Sequence, residues 1–153
     1  MLVNWRAGLS DRDAQVKILL HNLKERLPEL ERLLAGVSDH WGYEDRVYRF
    51  YHQSFKVYEV QHATIAVTRM LKSLLPGVPL NRKYNAILRQ GTGKAFRPEH
   101  NENFFEVTRP MIEAFMHARF FLEMAVRYGK ELEQEPSPLP SGWAALLYLW
   151  NFR

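Results

Sequence analysis

The chain has 153 residues, no cysteine and a formal net charge of +4, which excludes disulfides, thiolate metal sites and thiol nucleophiles and favours one domain with its own core. Hydrophobic residues make up 46% and charged residues 25%, as in ordinary globular chains, but 13% aromatic is high, so large rings are expected in the core. The charge is segregated: residues 60–98 hold Arg69, Lys72, Arg82, Lys83, Arg89, Lys94 and Arg97 with no Asp or Glu, whereas residues 99–153 carry eight acidic side chains against five basic ones.

Along the chain, "SDRD" has the form of a capping box, with Asp13 three places after Ser10. Val16, Leu20, Leu23 and Leu27 then recur at steps of three and four, which predicts a helix over 11–35. Pro28 predicts a kink or a restart, because it removes a backbone donor and crowds the preceding turn. Glu29 and Glu31 would occupy the new first turn, at the positive end of the helix dipole. Gly36 is expected to end the helix. Ser38 or Asp39 would cap the next one, read as a single rod over 40–74, about 50 Å long.

"PGVP" at 76–79 reads as a turn. Asn81 to Gln90 is expected to form a short helix stopped at Gly91, followed by a loop, "GTGKAFRPEHN". Pro110 predicts a split between a short piece near 102–108 and a long helix from 110 to 133. "QEPSPLPSG" at 134–142 reads as an extended linker, after which Ser141 would cap a short apolar helix, "WAALLYLWNF". Alternation of polar and apolar residues is never sustained, so no sheet is expected.

The expected architecture is an all-α helical bundle of four to five helices. Residues 1–135 would form the bundle, and 136–153 a linker with an apolar docking tail. The tail is too short to span a bilayer. It is expected to dock on its own bundle or, through the linker, on a second copy as a homo-oligomer. The opening stretch lacks a basic region followed by an apolar run, and no apolar run approaches membrane-span length, so the expected location is the cytoplasm.

Two stretches carry candidate chemistry. The first is "HWGYEDRVYRFYHQSFKVYEVQH" at 40–62, which holds seven aromatics and three histidines. On a helical wheel with Tyr48 at zero, Trp41, Glu44, Phe55, Glu59, His62, Ala66 and Ser73 fall within about 40° of it, and His52 lies at the edge of that stripe. Arg46, Arg49, Gln53, Lys56 and Thr64 fall on the opposite, solvated side. Glu59 and His62 are then inward neighbours at i,i+3. Glu-x-x-His inside a bundle is half of a di-iron carboxylate site, and oxygen with imidazole nitrogen suits iron, manganese or zinc. A metal-dependent or acid/base enzyme centred on Glu59 and His62, assisted by Glu44 and His52, is therefore one reading. The competing one is a structural hydrogen-bond network between the two side chains. The nearest substitute for a second half-site, Glu113 with His117, falls on a solvated or partly solvated face. No other cofactor is expected.

The second stretch is the acid-free segment 69–97. A basic, glycine-containing loop after a short helix suits phosphate, through backbone N–H groups and Lys or Arg. Arg82, Lys83, Arg89, Lys94 and Arg97 are the candidate ligands for phosphate or nucleic acid, and Tyr84 and Phe96 are candidate stacking platforms for bases. "GTGK" is not a nucleotide-binding P-loop, because Leu88 and Ala95 stand where Gly and Ser or Thr are required. The competing reading pairs this segment with the acidic residues of 99–135. On balance the sequence favours a non-enzymatic binding or assembly module over an enzyme.

Overall fold

A computed structural model describes residues 11–40, 55–92, 104–134 and 143–151. They form α1 (Asp11–His40), α2 (Phe55–Ser73), α3 (Arg82–Thr92), α4 (Phe104–Gln134) and α5 (Trp143–Leu147). No strand occurs among the described residues; Leu80 and Trp150 form one isolated antiparallel bridge. The fold is an all-α bundle with α4 at its centre, packed against α1, α2 and α3 and more lightly against α5. No helix among the described residues is long and apolar enough to cross a membrane.

The central role of α4 follows from its sequence. Met111, Ala114, Phe115, Ala118, Phe121, Leu122 and Ala125 are all essentially buried. Bulky residues alternate with alanines around the helix, and each alanine lets a neighbouring helix approach. Pro110 lies within α4, which runs through it without the expected split.

Helix α1 buries Leu19, Leu23, Leu27 and Leu30. The buried face is rotated slightly from the expected one, since Val16 and Leu20 are only partly covered. Helix α1 also continues through Pro28 and Gly36 to His40. Pro28 and Lys24 are both exposed, so the carbonyl at i−4 that loses its intrahelical donor turns toward water, and a restart is unnecessary. Nothing lies within 4 Å of a Cβ built on Gly36; the glycine is a weak helix residue on an exposed side rather than a terminator. Ser38 and Asp39 belong to this same helix, so neither caps the next.

The rod expected over 40–74 is described from Phe55 to Ser73; residues 41–54 lie outside the described residues. Its buried side is an aliphatic ladder, Val60, Thr64, Val67, Leu71 and Leu74, at steps of four and three. The Thr64 hydroxyl donates to the Val60 carbonyl at 2.7 Å, which satisfies it inside the core. Helix α1 closes the far end of α2. Asn22 Nδ2 donates to the Leu74 carbonyl at 2.8 Å, and the Arg26 guanidinium donates to Ser73 Oγ, whose own hydroxyl donates to Met70. Carbonyls orphaned at a helix C-terminus are thereby paired.

Candidate functional site

The site that the described residues build best is the outer face of α3. The chain reaches it through a tight turn in which Val78 N–H donates to Leu75 O and Gly77 adopts φ 81°, a value that favours glycine. Asn81 then caps the helix: its Oδ1 accepts from Lys83 N–H at 2.9 Å and its carbonyl accepts from Asn85 N–H at 2.8 Å. The same residue is held by the C-terminal tail. Asn81 N–H donates to Leu149 O, and Asn151 N–H donates to Pro79 O, each at 2.8 Å. Leu146, Leu149 and Trp150 are buried, so the tail docks on its own chain, as its apolar character requires.

Helix α3 runs antiparallel to α4, because Tyr84 meets His117 and Phe121 while Gly91 meets Ala114 and Pro110. Gly91 was expected to stop the helix. The helix ends one residue later, at Thr92, and Gly91 is also a buried point of close approach to α4, where a Cβ would clash. Leu88 is buried beside it. On the opposite side Arg82, Lys83, Ala86, Arg89 and Gln90 are exposed. Arg82, Ala86 and Arg89 follow at steps of four and three, so the two guanidiniums share one stripe with Lys83 alongside.

No acidic residue lies on α3. Two ion pairs, Arg119–Glu123 at 3.0 Å and Arg127–Glu131 at 3.5 Å, are both internal to α4. Helix α3 meets the acidic helix through its apolar side, and none of these ion pairs links the two helices. Lys94, Arg97 and Phe96 lie outside the described residues. Tyr84 is half-buried, its ring edge-on to Phe121 at 4.8 Å and tilted against His117 at 5.7 Å. Its ring packs against both neighbours and stays half-exposed.

The inward placement of His62 is overturned. His62 is exposed, and Thr64, expected on the solvated side, is 1% exposed. A wheel phased on Trp41, Tyr48 and Phe55 turns His62 inward. The buried ladder starting at Val60 sets the true phase and turns His62 to solvent. The side chain of Glu59, with Glu44 and His52 entirely, lies outside the described residues. Among the described residues no group of three or more histidines and carboxylates is placed to hold a metal. Glu113 is exposed and His117 half-buried, as their wheel predicts.

Sequence reasoning missed the clamp between the tail and residues 79–81. Backbone groups make it, so side-chain types carry no signal of it. No family model, curated protein or solved structure matches the chain.

Proposed function

We propose that the protein is a non-enzymatic helical module that binds the phosphate backbone of nucleic acid through the outer face of α3. The observation that carries this reading is the exposure of Arg82, Lys83 and Arg89 on one face of a helix that holds no acidic residue. Guanidinium forks match phosphate oxygens in pairs, and an ammonium adds a point charge. The cap on Asn81 and the clamp from the tail support the reading further, because they fix the helix that presents the charges. With charged side chains exposed on this face and the Tyr84 ring half-buried, recognition rests on phosphate contacts and is indifferent to base sequence.

Fluorescence anisotropy with labelled single-stranded RNA and DNA oligomers tests the proposal. Binding is expected in dilute buffer and weakens steeply toward physiological salt. Replacing Arg82, Lys83 and Arg89 together by glutamate abolishes it. Absence of any anisotropy change in dilute buffer overturns the reading.

A further inference from the structure

We propose that two copies of this chain pair through the outer face of α4, antiparallel, with Phe120 at the two-fold axis. Helix α4 packs against α1, α2 and α3. Its outer face exposes two large apolar side chains, Met116 at 38% and Phe120 at 54%. Single exposed apolar residues are ordinary on a surface; the charges around Phe120 are what give this face a partner.

Four charged residues share the Phe120 stripe. At 100° per residue, Arg109 and Arg127 lie about 20° to one side of Phe120, and Glu113 and Glu131 about 20° to the other. Their sequence offsets from Phe120 are symmetric, with Glu113 and Arg127 seven residues away and Arg109 and Glu131 eleven. The signs are antisymmetric. In an antiparallel pair centred on residue 120, each position faces the one equally far beyond the centre on the second copy. Glu113 then faces Arg127 of the second copy, Arg109 faces Glu131, and Phe120 meets itself. A parallel pair would set arginine on arginine and glutamate on glutamate. An isologous interface needs this kind of self-complementarity.

Little stands in the way of the exchange. The internal Arg127–Glu131 pair is 3.5 Å long, with side chains 68% and 38% exposed, and such surface pairs contribute little. The stretch from Arg109 to Glu131 is about 33 Å long. One helix face of that length gives an interface at the small end of specific ones, so the dimer forms in a concentration- and salt-dependent way. The pairing does not use the basic face of α3, so it stands or falls separately from nucleic-acid binding.

The absence of cysteine makes disulfide trapping on the full chain decisive. Phe120→Cys is expected to form a covalent dimer on mild oxidation, far faster than Lys17→Cys, an exposed control on α1. Glu113→Cys and Arg127→Cys each lie about 21 Å along the helix from their own copies. Neither cross-links alone, and the two cross-link when mixed. In sedimentation velocity, Glu113→Arg and Arg127→Glu each weaken the dimer roughly tenfold, and the double exchange restores it. Circular dichroism confirms that these surface variants fold. Trapping of Phe120→Cys no faster than the control, or a double exchange as weak as the singles, overturns the proposal.

Discussion

Gly91 of α3 and Ala114 of α4 meet so closely that a Cβ on residue 91 would fall 2.2 Å from the Ala114 Cβ, with the Pro110 carbonyl oxygen at 2.7 Å. No rotamer change relieves a clash of that kind, because the atoms belong to backbone and to an alanine. Gly91→Ala therefore pushes the two helices apart and is expected to destabilise the fold by about 1–3 kcal/mol. Gly36 lies in open space, so Gly36→Ala is expected to stabilise by about 0.5–1 kcal/mol through helix propensity. Urea unfolding of both variants, with equal m-values, checks the opposite signs.

Helix α2 offers a second contrast. Leu71 is 1% exposed whereas His62 faces solvent. Leu71→Ala is expected to lose about 2–5 kcal/mol. His62→Ala is expected to change stability by no more than about 0.5 kcal/mol. Thermal unfolding of the pair reads this directly, and a large loss at His62 would restore an inward imidazole.

Helix α2 also shows what the sequence discloses. The bundle itself was legible, because Leu23, Leu27, Met111, Phe115 and Leu122 carry helical spacing and all are buried. The phase of α2 was not. The sequence offers two stripes, one through Trp41, Tyr48 and Phe55 and one through Val60, Val67 and Leu71, roughly 100–140° apart at 100° per residue, and burial follows the second. Gly36 misled for a different reason. Its local preference is weak against tertiary packing, so it sits inside α1, as does Pro28 without the restart, while Gly91 falls one residue before the end of α3. For the candidate site, charge counting located Arg82, Lys83 and Arg89. It did not say which way Tyr84 turns, since that depends on Phe121 in a distant segment.

The clamp makes a third prediction. Trp150 is 3% exposed, and its indole nitrogen has no hydrogen-bond partner. An unpaired buried donor costs about 1–3 kcal/mol, so Trp150→Phe offsets its lost packing and is expected to be nearly neutral. Trp150→Ala is expected to lose about 3–5 kcal/mol. Chemical denaturation of the two variants checks the difference.

Removal of the cap acts more locally. Asn81→Ala deprives Lys83 N–H of its acceptor and is expected to cost about 1 kcal/mol. Hydrogen exchange should quicken at the first turn of α3 before the rest of the bundle.

Binding supplies the fifth. If three cations meet phosphates, the logarithm of affinity for a single strand falls with the logarithm of salt at a slope of roughly −2. Loss of Arg82, Lys83 or Arg89 alone is expected to shallow that slope by somewhat under one. Tyr84→Phe, which keeps the ring and its contact with Phe121 and removes only the hydroxyl, is expected to leave affinity unchanged. Titrations at several salt concentrations distinguish these variants.

The bridge from Leu80 to Trp150 joins points seventy residues apart, and that separation has a kinetic meaning. During synthesis the peptide groups of Pro79 and Asn81 must wait for residues 149–151 to be translated before they find partners. Closing so long a loop comes late on the route to the native state. The start of α3 is thus completed only once residues 149–151 have been made, and a chain cut before Leu149 would hold a bundle whose basic helix lacks its anchor.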